Sequence, residues 1–307
     1  MEDQAARLRQ MVEGKTEYTA EPAFSEGMPA SIPQDAAASK GAARVIAVTS
    51  GKGGVGKTNL TVNLAIALGM AGKRVIIIDA DLGMANVDVI LGTVSKHNLT
   101  HLLKDDVSLQ DVLVHGPYGV NYISGGSGIE NAMDWSPQER NRLLNKLAEC
   151  EALADVILVD TGAGIGKNVL DFILSADEVI LLTTPEPTAL TDAYAVMKAY
   201  SLYATQKTLK LVVNRVYNET ESRDVVTKLK RTSAKFLQMQ VDCLGYIYED
   251  RNMMQAVRRQ MPLLAAYPNT ISARCVQAIA NSLLYGGQTR VKRGWMGFLQ
   301  RFIDFSG

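Results

Sequence analysis

The segment that most limits how this chain can fold is the run Gly51-Lys52-Gly53-Gly54-Val55-Gly56-Lys57-Thr58. It follows an apolar, β-branched stretch at 45–48 and opens a helical pattern at 60–70. The spacing fits GxxxxGK(S/T), a loop whose consecutive backbone N–H groups curl around phosphate oxygens where side chains would obstruct the approach. The N-terminus of the following helix adds partial positive charge at the same point. Lys57 is expected to reach the outer phosphates of a nucleoside triphosphate, and the Thr58 hydroxyl to ligate Mg²⁺. Asn59, the next residue, is placed in the same nucleotide site.

Such a loop needs a strand before it and a helix after it, and the rest of the chain repeats that alternation. Short apolar runs recur at 75–78, 156–159, 179–182, 211–213 and 244–247. They are rich in β-branched residues and mostly unalternating, as strands buried on both faces of a parallel sheet require. Longer helical patterns at 141–153, 190–203 and 225–237 fall between them. The arrangement predicts an α/β fold, a doubly wound, mostly parallel sheet flanked by helices, as a single domain over 43–287.

Three carboxylates stand at predicted strand ends. Asp79 and Asp81 follow Ile76-Ile77-Ile78, and Asp160 follows 156–159 and precedes Thr161-Gly162-Ala163-Gly164. The C-terminal edge of an open parallel sheet is where ligands collect. One strand-ending aspartate is often a helix cap, but three beside a phosphate loop point to a metal–nucleotide site.

Composition narrows the setting. The chain has 307 residues, with 32 basic and 32 acidic side chains, so no global field predicts direct binding of nucleic acid. Cys150, Cys243 and Cys275 lie far apart without a CxxC pair. That spacing argues against a disulfide scaffold or structural zinc and for a reducing cytoplasm. Neither a signal-peptide pattern nor a membrane-spanning apolar run is present.

Lys52, in the loop's second position, makes the pattern more specific. KGGVGKT resembles the deviant Walker A loop of the MinD/ParA family of ATPases. The resemblance implies a MinD-like P-loop NTPase that binds ATP and Mg²⁺, forms a homodimer with ATP, and hydrolyses it slowly. It implies that Lys52 crosses to the partner's nucleotide, that Asp81 polarises the attacking water, and that Asp79 and Asp160 support the metal through water. Leu211-Val212-Val213-Asn214-Arg215-Val216 is similar to the family's NR motif, which brings Asn214 and Arg215 to the base. Gly245-Tyr246-Ile247-Tyr248-Glu249-Asp250 is similar to the next base-contacting loop, which adds Tyr248 and Glu249, although many relatives carry proline near Tyr248. Thr184-Pro185-Glu186-Pro187 resembles a family loop at the nucleotide and dimer seam and brings Glu186.

Both ends carry further signals. Residues 1–42 begin with a short helical pattern containing Asp3, Gln4, Ala5, Leu8 and Arg9, then become rich in proline and alanine, as a linker would. That opening resembles the DQAxxLR motif of the FlhG branch (also called YlxH or FleN), which regulates flagellar number. In that branch the motif activates the GTPase FlhF. In residues 288–307, Trp295, Phe298, Leu299, Phe302 and Ile303 recur at helical spacing, with Lys292 and Arg293 ahead of them. An amphipathic helix of this kind lies in a membrane interface, and the segment resembles MinD-type membrane-targeting tails. The resemblance implies a cytoplasmic protein that sits reversibly on the inner membrane surface and meets flagellar switch components. A division-site regulator of MinD type would lack the DQA motif. A DNA-segregation ATPase of ParA type would need a basic surface, and the iron–sulfur carrier branch would need paired cysteines.

Overall fold

The computed structural model describes residues 42–81, 86–125, 137–204, 208–286 and 294–306. The expected GTPase-activating motif at Asp3, Gln4, Ala5, Leu8 and Arg9 lies outside the described residues, as do Lys292 and Arg293.

Strand β1 (Arg44–Ser50) runs into the glycine loop and helix α1 (Lys57–Met70). There follow β2 (Val75–Ala80), the short α2 (Asn86–Leu91) and α3 (Leu109–Val112), β3 (Leu113–His115) and β4 (Val120–Ile123). Next come α4 (Pro137–Ala148), α5 (Cys150–Leu153), β5 (Val156–Ala163), α6 (Lys167–Ser175), β6 (Glu178–Thr183) and α7 (Pro187–Tyr203). The chain continues through β7 (Thr208–Val216), α8 (Glu219–Leu237), β8 (Gln240–Tyr248), α9 (Arg251–Arg258) and α10 (Leu263–Ala266), and ends on α11 (Ile271–Tyr285) and α12 (Gly294–Ser306).

Among the described residues the strands form one eight-stranded sheet in the order β3-β4-β2-β5-β1-β6-β7-β8. Every neighbouring pair is parallel except the β3–β4 edge. The unalternating apolar runs have the predicted cause, since β1, β2, β5 and β6 are buried on both faces along nearly their whole length. On one face, Val45, Ile76, Ile78, Ile157 and Val159 share a core cluster with Phe172, Trp295, Phe298 and Leu299. Farther along the sheet, Val179, Leu181, Leu211 and Val213 pack with α7 and α8.

Helix α1 packs on β1, β2 and β5 and against α11. Leu60 through Leu68 are buried without a break, because this helix lies between the sheet and another helix. Asn63 is fully buried in it, and its two amide ends are satisfied by Leu264 N–H and the Asn59 carbonyl, each within 2.9 Å.

The last helix does not stand off the domain. Trp295, Phe298 and Leu299 are turned inward and buried, while Phe302 and Ile303 are partly covered. Phe302 stacks on Phe172 of α6 with ring centroids 4.4 Å apart, and Phe298 stacks on Trp295 at 4.9 Å. The indole N–H of Trp295 donates to the Leu147 carbonyl, and the Arg301 guanidinium donates to the Ser175 carbonyl. Glu151 caps the helix start, accepting from the backbone N–H groups of Trp295 (3.2 Å) and Met296 (2.9 Å), and it also accepts from Ala43 N–H (3.0 Å). The stripe predicted to face lipid therefore faces the protein core in this structure, and residues 294–306 pack as part of the domain rather than apart from it. Among the described residues, no helix is long and apolar enough to cross a membrane.

Trp295→Ala should remove the indole from this core and lower the urea midpoint by the equivalent of about 3 kcal/mol. It should also make residues near 294 accessible to protease. An unchanged midpoint with unchanged protection would mean that the docked helix adds nothing to the fold.

Candidate functional site

β1 delivers the loop to the C-terminal edge of the sheet, and two of the loop's glycines are fixed by different constraints. Gly56 has φ +97°, and a Cβ there would stand 2.6 Å from Asn214 Nδ2. Gly51 lies flat against the backbone of Asp192 in α7, where a Cβ would collide. A Cβ on Gly53 would meet no protein atom within 4 Å, so the space beside this exposed glycine is open.

Lys57 and Asp160 form the centre of the site. Lys57 is 7% exposed, and its Nζ lies 3.2 Å from Asp160 Oδ1 and 3.9 Å from Asp81 Oδ2. Thr61 Oγ1 also donates to Asp160 Oδ1, at 2.9 Å. Asp160 Oδ2 is buried without any hydrogen-bond partner. A buried carboxylate oxygen with no donor is costly unless a ligand completes it. Asp160 and Asp79 are register partners on β5 and β2, side by side in the sheet. Asp79 is fully buried and accepts from the backbone N–H groups of Asp81 and Val87, each at 3.2 Å.

Burial pushes the Asp79 carboxyl up to about 7, and the neighbouring Asp160 charge adds to the rise. Burial also pushes Asp160 up, opposed by the Lys57 ammonium and by the hydrogen bond from Thr61. Two adjacent carboxylates, one orphaned oxygen and the Thr58 hydroxyl form an oxygen-only donor set that suits a hydrated Mg²⁺. These residues fit the metal that the phosphate loop implies.

Lys52 sits at the exposed lip of the loop. Its Nζ is 2.9 Å from both Glu186 Oε2 and Thr188 Oγ1, at the start of α7. That pairing holds the Glu186 carboxyl below its usual range. Glu186 is thus paired with Lys52 at the lip of the phosphate loop.

A cavity of about 300 Å³ opens next to Gly56. Asn59, Asn214, Arg215, Tyr248 and Glu249, all singled out in the sequence, line it. Asn214 Nδ2 donates to the Val55 carbonyl at 2.8 Å, so its amide is orientated by the phosphate loop itself. Arg215 has φ +57°, an uncommon left-handed conformation for a side-chain-bearing residue, and its guanidinium lies 3.8 Å from Glu249. The sequence reading missed the apolar wall, which Met253, Val257 and Val276 supply. The signal was present: Met253 and Val257 are four apart on α9, so they share one helix face.

Comparison with known proteins agrees with this geometry. A family model described as ParA: NUBPL iron-transfer P-loop NTPase matches residues 41–284. Antiactivator FleN of Pseudomonas aeruginosa is 38% identical over 240 residues, covering 78% of this chain and 86% of FleN. The flagellum site-determining protein YlxH of Helicobacter pylori is 35% identical over 276 residues, covering 87% of this chain and 92% of YlxH. Among solved structures, the MinD cell division protein of Aquifex aeolicus superposes with a TM-score of 0.63 at 26% identity, over 82% of this chain and 100% of that one. Septum site-determining MinD of Pyrococcus horikoshii, solved with Mg-ADP, gives 0.62 at 27% identity, over 81% and 100% of the two chains.

The Asp79 shift has a consequence for stability. A carboxyl raised from 3.8 to about 7 on folding binds its proton more tightly in the folded state. Its contribution is fully present below the unfolded value and is lost as pH rises through about 7. Thermal denaturation of the nucleotide-free protein should therefore show a midpoint that falls from about pH 4 to about pH 7 and levels off above that. Asp79→Asn should flatten that slope, and an unaltered slope would assign the effect to another group.

Proposed function

The chain belongs to the ParA/MinD family of P-loop NTPases, and from that premise we propose that it is an ATP-driven dimerisation switch that sets flagellar number or placement. The observation that carries this reading is Lys52 at the lip of the phosphate loop. An exposed cation at that position adds nothing to phosphate binding that Lys57 does not already supply. It gains a role when a second subunit presents its nucleotide, where a cation in trans stabilises both the dimer and charge developing on phosphoryl oxygens. The Lys52–Glu186 pair is exposed and weak, so it is easily exchanged for that contact.

Within one subunit, the loop N–H groups and Lys57 bind the phosphates, and Asn214 and Arg215 hold the base. Asp81, 25% exposed at the end of β2, is placed to orient and polarise the attacking water. Thr58 and, through water, Asp79 and Asp160 would hold Mg²⁺, which supplies charge neutralisation to the phosphates when bound. Lys57 would exchange its contact with Asp160 for the phosphates when it binds them.

The tail gives the switch an output. Trp295, Phe298 and Leu299 cannot be buried in the core and in a membrane interface at once. ATP-dependent dimerisation would release α12, and two released helices bind a membrane better than one. Stimulation of an FlhF-like GTPase by the segment from Asp3 to Arg9, and docking to flagellar switch components, complete the proposal. They draw support from the relative YlxH, whose name, flagellum site-determining protein, ties it to flagella.

Two measurements test the scheme. With ATP, Lys52→Gln should remain monomeric by light scattering while its ATP affinity stays at the parental value; a normal dimer would remove the trans role. Deleting residues 292–307 should abolish ATP-dependent sedimentation with anionic liposomes and leave nucleotide binding in place. Retained sedimentation would place the membrane contact elsewhere.

A further inference from the structure

The first turn of α2 touches both carboxylates that end β2. Asn86 Nδ2 donates to Asp81 Oδ2 at 3.3 Å, and the N–H of Val87 donates to Asp79 Oδ2 at 3.2 Å. Asp88, the next residue, accepts from three hydroxyls: Tyr122 on β4, Ser124 at 3.0 Å and Ser95 at 2.9 Å. Tyr122 is fully buried, and its hydroxyl also meets Thr93 Oγ1 at 2.7 Å. Three consecutive residues thus connect two of the site's three acids to a fixed neighbouring strand. An asparagine at the start of a helix ordinarily acts as a cap, accepting through its oxygen from backbone N–H groups. Asn86 instead directs a donor, its amide nitrogen, at another side chain.

That donor has a specific electrostatic use. Asp81 Oδ2 lies 3.9 Å from Lys57 Nζ, and without an opposing partner the two charges would tend to close on each other. A neutral amide bound to the same oxygen holds the carboxylate without supplying a competing charge. Its other oxygen, Oδ1, then stays towards Gly162, where a Cβ would stand 3.8 Å away, and is left to accept from a water.

We propose that Asn86 is a positioning residue that orients the Asp81 carboxylate, with the Asp88–Tyr122 hydrogen bonds as the anchor it works from. The proposal rests on the reading of Asp81 as the residue that polarises the attacking water. Misplacing such a group slows the chemical step without weakening substrate binding. Asn86→Ala should therefore lower kcat about tenfold, with KM for ATP and the thermal midpoint unchanged. Asn86→Ser keeps a short polar side chain at the start of the helix but cannot reach Asp81, so it should lose as much activity as alanine. Tyr122→Phe, which removes one donor from the anchor, should show a smaller fall in kcat at the same KM.

Steady-state ATP hydrolysis by the full-length chain, with fluorescent-nucleotide affinity and thermal midpoints for each variant, tests this against Asp81→Ala. If Asp81→Ala turns over at the parental rate, the role given to Asp81 fails and the positioning role fails with it. If Asp81→Ala is inactive but Asn86→Ala or Asn86→Ser keeps parental kcat, the positioning role alone is wrong. A serine variant that restores what alanine loses, or a loss of nucleotide affinity matching the loss of rate, would give Asn86 a structural role only and overturn the proposal.

Discussion

The ion pair between Lys57 and Asp160 governs how this molecule is built. An ammonium that is 7% exposed and a carboxylate that is fully buried are stable in the interior only while each has an opposite charge. Their position follows from the sheet. β5 brings Asp160 between Asp79 on β2 and the end of β1, and the glycine loop then turns Lys57 back over that edge. The surrounding hydroxyl of Thr61 and backbone N–H groups of Asp81 and Val87 serve the same cluster. The parallel sheet, with its strands buried on both faces, is the rigid support that keeps three acids and a lysine this close.

Rigidity at the centre contrasts with what surrounds it. The contacts that hold Lys52, Asp81 and α12 are made by side chains able to take other partners: a surface glutamate, an asparagine amide and a set of stacked aromatic rings. Each of these sits at an edge of the same core. The loop touches α7 backbone to backbone at Asp192, and the same helix begins at the residues that hold Lys52.

The central sheet was legible in the sequence because burial on both faces leaves short β-branched runs without alternation, set between longer helical patterns. Most predicted runs lie inside observed strands that extend by a few residues at each end. The β3–β4 edge was not legible, since Val120-Asn121-Tyr122-Ile123 mixes a polar residue into a short strand and Leu113-Val114-His115 is shorter still. The candidate nucleotide site was legible through motifs that place the loop, the acids and Asn214 at strand ends. The partners of those residues were not: Lys52 meets Glu186 across 134 positions, and Asn214 meets Val55 across 159. Nor does helical periodicity say what an apolar stripe faces. Trp295 and Phe298 obey the same spacing whether they meet lipid or Phe172.

The capping of α12 by Glu151 has a kinetic side. The helix is joined to α11 by a short connection, residues 287–293, so an undocked tail stays within reach of its own groove. The groove then behaves as a competitor at high local concentration, one that dilution of the protein does not weaken. Any surface that captures the tail must compete with that intramolecular partner. Its apparent affinity is reduced by the fraction of time that the helix spends at home. Strengthening or loosening the cap at Glu151 would therefore tune the threshold for capture without altering a single residue that meets the captor.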